Sequence, residues 1–206
     1  MKIIREIKQH TVSALFYLLK HFVLRSVLLV ILGTALLIVS AKIEIPIEPV
    51  PITMQSLAVL FIGMTFGWQL GGVTIFVYLL EGFIGLPVFS TAVSGPIAFS
   101  YPMIGYFIGM FPATMLSGYL IESGWGSSTF KAGLAALIGM IVFYTVGLVC
   151  LADVTGWELA LDFGLYPSLF VEFLKIIFLA FLIPVIWRVS NQIRSDSMRI
   201  SKDRLF

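Results

Sequence analysis

Charge is scarce in this sequence. Of 206 residues only 12% are Asp, Glu, Lys or Arg, 59% are hydrophobic, and the mean hydropathy is +1.04. A soluble domain carries about 25% charged residues. A chain so depleted cannot cover a globule with polar surface, so lipid is the solvent for most of it. The net charge of +2 gives no reason to expect a nucleic-acid partner. Cysteine is scarce too. Cys150 stands alone in an apolar stretch, which excludes an internal disulfide and a cysteine-based metal site and leaves packing as its role. Catalytic signatures are missing: there is no H-E-x-x-H, no G-x-x-x-x-G-K-[ST] and no G-x-S-x-G. His10 and His21 both lie in the N-terminal segment, and no apolar stretch carries two carboxylates. These absences argue against an enzyme, and no metal or other cofactor is expected.

What is present is apolar sequence in long blocks. No charge occurs from Pro49 to Leu80, from Gly82 to Ile121, or from Ala132 to Ala152. A membrane helix needs about 20 mainly apolar residues, so the first two blocks must each be broken. The reading is an all-α integral membrane protein with six spans. They are Arg25–Ala41, Thr53–Phe66, Gly72–Ile84, Pro102–Ile121, Lys131–Ala152 and Tyr166–Arg188. The short second and third spans are joined by GWQLGG, read as a glycine-rich turn. Eleven of the thirteen Lys and Arg fall on the side of the termini, which places both termini in the cytosol. Lys42 faces the other side and Lys175 lies within the last span. Residues 26–38 followed by Val39-Ser40-Ala41 loosely resemble a signal peptide. The basic region before them is unusually long for one, and cleavage would leave five spans with a basic tail, so the uncleaved reading is preferred. The domain plan is a basic amphipathic cytosolic leader (1–24), a six-helix membrane domain (25–190) and a basic cytosolic tail (191–206). Gly105-x-x-x-Gly109 and Gly118 are read as internal packing sites.

The last span contains VEFLKIIF, in which Glu172 and Lys175 are three residues apart and share a helix face. A charge at the bilayer centre costs about 2.5–3.5 kcal/mol on insertion scales, so such residues face the bundle interior or a wet cavity. Two readings follow. The pair is either a salt bridge that locks helices together, or a ligand site open to the outside. The outer loops favour the second. KIEIPIEPVPIT (42–53) holds three prolines and reads as stiff extended chain able to lie over the bundle. EGFIGLPVFSTAVSGPIAFSYP (81–102) has no charge after Glu81, so it can pack back into a cavity and offer hydroxyls. The third outer loop, with Asp153, Glu158 and Asp162, reads as a solvated face.

SAKIEIPIEPVPITMQSLAVLFIGMTFG, YLLEGFIGLPVF, YFIGMFPA and the Glu172/Lys175 pair together resemble BioY, the biotin-binding S component of energy-coupling factor (ECF) transporters. The similarity runs from about Leu28 to Pro184. It implies an S-component bundle in a bacterial plasma membrane that captures biotin at its outer face. It also implies partners: a transmembrane ECF coupling subunit and cytosolic ATPase subunits. The acid matching Glu172 would accept from the ureido N–H groups. The cation matching Lys175 would serve the valerate carboxylate or order the site. Gln55 is the next candidate, followed by Tyr106 and by Ser90, Thr91 and Ser94. The family usually has Asp where Glu172 stands and Pro-Gly where Phe170-Val171 stand. Its Gly-rich stretch after G-L-P-V-F is here Ser90-Thr91-Ala92-Val93-Ser94. The rivals are an S component for another small anionic vitamin or a biotin precursor, and a solitary biotin facilitator without an ATPase partner.

Overall fold

The computed structural model of the chain describes residues 23–46, 51–90, 94–99 and 103–203. The leader up to residue 22, and Thr91, lie outside the described residues. Apart from one short ribbon the described residues are helical. Helix α1 (Val23–Lys42) is followed by strands β1 (Glu44–Ile45) and β2 (Ile52–Thr53), then α2 (Gln55–Phe66) and α3 (Trp68–Phe83). Then come α4 (Ile104–Glu122), α5 (Thr129–Thr155), α6 (Trp157–Gly164) and α7 (Leu169–Asp203). Among the described residues four helices are long and apolar enough to cross a membrane: α1, α4, α5 and residues 169–192 of α7. Helices α2 and α3 have only 12 and 16 residues.

Helix α1 buries Gly33, Thr34, Leu37, Ser40 and Ala41 and leaves Leu28, Ile31, Leu32 and Val39 exposed. The buried positions recur every three or four residues, so one stripe faces the bundle and the rest faces lipid. The stripe approaches closely because Gly33 lacks a side chain: a Cβ there would stand 2.5 Å from Thr74 Cγ2. The three glycines of the fourth span pack inside the bundle, as expected. A Cβ at Gly105 would meet Cys150, one at Gly109 the carbonyl of Phe143, and one at Gly118 the carbonyl of Gly63. Cys150 is thus a packing residue against Gly105.

Three boundaries differ from the sequence reading. GWQLGG is not a turn. The chain reverses at Gly67 alone, with φ 84°, and α3 starts at Trp68. Gly71 and Gly72 sit inside α3, where Gly71 lets that helix touch Gly63 and Thr114. Glycines that suggested a flexible turn serve close helix contact. The segment read as a third outer loop contains a helix, α6, entered through Gly156 at φ 83°. Ala160 and Gly164 are its buried side, while Asp153, Glu158 and Asp162 are exposed as expected. Finally α7 starts at Leu169 and runs 35 residues, beyond the expected end at Arg188.

The described parts of the two long loops, after α1 and after α3, fold onto the bundle. Within KIEIPIEPVPIT the described strands are extended as anticipated, with Glu44 paired to Thr53 and Ile45 to Ile52 in an antiparallel ribbon. The stretch after α3 tucks Val88 and Phe89 inside. The Phe89 ring occupies the space a side chain at Gly82 would need, and it stacks on Phe107 with centroids 4.4 Å apart. Tyr78 donates to the Val88 carbonyl at 3.0 Å, and Lys42, at the end of α1, donates to the Phe89 carbonyl. These two bonds tie the backbone of this loop to α3 and α1.

Candidate functional site

Glu172 and Lys175 lie within the first two turns of α7, on the face that meets α2 and the ribbon. They are 5% and 3% exposed. Lys175 Nζ is 2.6 Å from Glu172 Oε1. It also donates to the Thr53 carbonyl at 2.6 Å and to Ser56 Oγ at 2.9 Å. An ammonium has three donors, and here each has an acceptor. Ser56 in turn donates to the Glu172 carboxylate, 2.9 Å from Oε2 and 3.1 Å from Oε1. Burying two charges is tolerable only when they pair and their remaining sites are hydrogen-bonded. This cluster meets that condition by recruiting α2 and the end of β2.

A second polar chain begins at the neighbouring residue. Gln55, 5% exposed, donates through Nε2 to Tyr78 Oη at 2.9 Å, and that hydroxyl donates to Val88. Gln55 therefore links the first turn of α2 to the loop that carries Phe89. Its backbone N–H meets the Thr53 hydroxyl at 3.2 Å, so the ribbon runs into the helix without a break.

Between these chains lies a recess beneath the ribbon. Its polar wall is Thr53, Gln55, Ser56, Ser90, Tyr106, Tyr144 and Glu172, and its apolar wall includes Met103, Phe107, Met110 and Phe143. Its free volume is only about 40 Å³, far below the ~300–1,000 Å³ typical of small-molecule sites, so in this conformation the recess is closed down and a vitamin-sized ligand enters only when its walls part. Aromatic rings with a few convergent polar groups suit a compact, partly apolar ligand carrying hydrogen-bond donors.

The structure brings Glu172, Gln55, Tyr106 and Ser90 to this recess. Lys175 is not part of its wall; it stands behind Glu172 and fixes the carboxylate. Ser94 gives its hydroxyl to the Gly85 carbonyl at 3.0 Å and is likewise outside the wall. Tyr106 presents its ring and spends its hydroxyl on the Gly164 carbonyl at 3.2 Å. Gly147 makes room for that ring, since a Cβ there would lie 2.4 Å from it. Sequence reasoning missed Ser56, Thr53 and Tyr144. Ser56 gave no signal beyond standing beside Gln55. Tyr144 did give one, as the only tyrosine of α5.

Comparison with known proteins bears on what such a site is for. The family model described as BioY matches residues 9–192. The chain belongs to the BioY family. It is similar to "Biotin transporter BioY2" of Lactococcus lactis, with 34% identity over 75% of this chain and 85% of that one. The "Probable biotin transporter BioY" of Pyrococcus horikoshii shares 33% identity over 73% of this chain and 89% of its own. The fold matches the crystal structure of the S-component for biotin from an ECF-type ABC transporter, with a TM-score of 0.71 over 82% of this chain and 93% of that one. At 22% identity that likeness speaks for the fold. BioY is a family of transporter S components, not of enzymes, so the recess is the place to look for a transported ligand.

Proposed function

We propose that this protein captures biotin at its outer face and delivers it as the S component of an ATP-driven ECF importer. The observation that carries this reading is the Glu172 carboxylate in the recess wall, held by Lys175 and Ser56. Biotin's ureido ring offers two N–H donors and one acceptor. Glu172 accepts from the N–H groups. Tyr106, Phe107, Met110 and Phe143 enclose the fused ring, and Gln55 and Ser90 supply polar contacts. Lys175 orders the acid rather than meeting the ligand, because its three donors are already engaged. The valerate carboxylate stays toward the mouth, where water reaches it, since burying it without a cation is costly.

The membrane placement belongs to the same proposal. Six helices cross, with α2 and α3 as a short pair, and the basic residues at both ends hold the termini in the cytosol. The partners are a transmembrane coupling subunit and cytosolic ATPases in a bacterial plasma membrane. Equilibrium binding of labelled biotin to purified protein in detergent tests the ligand. Wild type binds tightly, Glu172→Ala abolishes binding, and Lys175→Ala weakens it at least tenfold. Unchanged binding in Glu172→Ala returns the pair to a purely structural salt bridge. Equal displacement by a precursor lacking the ureido ring removes the role given to Glu172. Co-purification with a coupling subunit tests the partnership, which a solitary facilitator does not need.

A further inference from the structure

At the end of α2 opposite the recess, a groove opens between α1 and the α2–α3 hairpin. Its free volume is about 580 Å³, so it has room for a small molecule without any wall moving. Its polar lining is Arg25 and Ser26 at the start of α1, Thr65 and Gln69 on either side of the Gly67 hinge, and Glu122 at the end of α4. Its apolar lining includes Leu29 on α1 and Leu70 and Val73 on α3.

Two features describe its occupant. The first is the order of the lining. Helices α1 and α3 run side by side in one direction, since Arg25 and Gln69 share this end and Gly33 meets Thr74 further along. On α1 the polar Arg25 and Ser26 come before Leu29; on α3 the polar Gln69 comes before Leu70 and Val73. The next turns present Leu32 and Phe76, 62% and 61% exposed. A polar pocket that runs out onto exposed apolar helix surface fits an amphiphile, with its head at the end of the bundle and its chains along the helices. The second feature is charge. Arg25 and Glu122 are exposed side chains of opposite sign in one groove, yet they do not pair with each other. Among the described residues neither side chain has an ion-pair or hydrogen-bond partner.

We propose that this groove is a phospholipid head-group site for a zwitterionic lipid with a primary ammonium, a phosphatidylethanolamine. Arg25 donates to the phosphodiester through its guanidinium fork. The ammonium has three donors, and the groove offers it acceptors. They are the Glu122 carboxylate, the Gln69 side-chain oxygen and the Thr65 hydroxyl, whose own proton goes to the Phe61 carbonyl at 2.6 Å. Each rival head group fails on one count. Phosphatidylglycerol brings no cation and sets an anion near Glu122. Phosphatidylcholine has no N–H to donate. The acyl chains lie along Leu29 and Val73. The site rests on the proposed membrane placement of α1 and α3 and is independent of what occupies the recess.

The test is native mass spectrometry of the full chain released from detergent. The protein is titrated with an equimolar mixture of phosphatidylethanolamine, phosphatidylcholine and phosphatidylglycerol carrying the same acyl chains. The three adducts differ in mass, so their ratio reads head-group preference directly. Wild type should retain phosphatidylethanolamine about fivefold over each of the others, the upper range for one exposed ion pair. Glu122→Gln should bring phosphatidylglycerol level with it or above it. Arg25→Gln should lower retention of all three lipids by about fivefold. Both side chains are exposed, so neither change empties a packed position. Lys131→Gln removes an exposed charge outside the groove and should leave the ratios as in wild type. Equal retention of the three lipids by wild type means a groove without head-group recognition, one for a partner chain to fill, and overturns the site. A preference that persists in both groove variants places the lipid elsewhere and overturns it too. So does a Lys131→Gln protein whose ratios shift as far as theirs, because bulk charge then explains the preference.

Discussion

Helix α2 meets its neighbours in two ways within 12 residues. At its first turn, under the ribbon, Gln55 and Ser56 reach α3 and α7 through side-chain hydrogen bonds. Two turns later Gly63 touches α4 with no side chain between: a Cβ there would stand 2.3 Å from the Thr114 carbonyl and 2.9 Å from Ser117 Oγ. The glycine end has no room for a ligand and no freedom to change. The polar end spaces its helices with side chains whose bonds a ligand's polar groups can replace. Building a recess and building a rigid seam thus call for opposite residue types on one helix.

Three changes probe that contrast. The largest effect belongs to the seam. Gly63→Val forces apart the backbones of α2 and α4 and should cost at least about 3 kcal/mol. The readout is the melting temperature of the detergent-purified protein, and little change would show that the seam is softer than its contacts indicate. Next comes Lys175→Met, which strands a buried carboxylate and should cost about 3–5 kcal/mol. Adding Glu172→Leu removes the stranded charge, so the double variant should recover most of the stability while leaving biotin binding abolished. If the double variant is no more stable than the single one, the pair holds the bundle by more than charge balance. The smallest effect belongs to Ser94→Ala. Its hydroxyl bonds one carbonyl in a half-buried loop, so stability should shift by no more than about 1 kcal/mol, with biotin affinity unchanged. A tenfold loss of affinity would place Ser94 in the site after all.

The sequence made the acid and the cation of the site legible for a simple reason. Charges are so rare in the apolar spans that Glu172 and Lys175 stand out, and their spacing puts them on one face. Their partner Ser56 lies 116 residues from Glu172 in the chain, and a serine in an apolar helix has no distinguishing pattern. The extended ribbon was readable because prolines leave few alternatives to extended chain. The start of α3 was not. Gly71 and Gly72 look like a turn until the proximity of Gly63 and Thr114 shows that they are contact points. Helix α6 was hidden by its acids, Glu158 and Asp162, which mark the solvated side of an eight-residue helix as readily as a loop.

The hinge at Gly67 bears on how the protein is made. Helices α2 and α3 span about 18 and 24 Å at 1.5 Å per residue, and each falls short of the ~20 residues that hold a segment in the bilayer alone. One glycine between them leaves no connecting segment that can wait in water while the first helix inserts. In the proposed six-span arrangement the two would enter the bilayer as a single hairpin folded back at Gly67. The end of α4 then closes over that hinge, where the Glu122 carboxylate lies against Gly67. In that arrangement the packing around Gly67 is complete only once the end of α4, 55 residues further along the chain at Glu122, is in place.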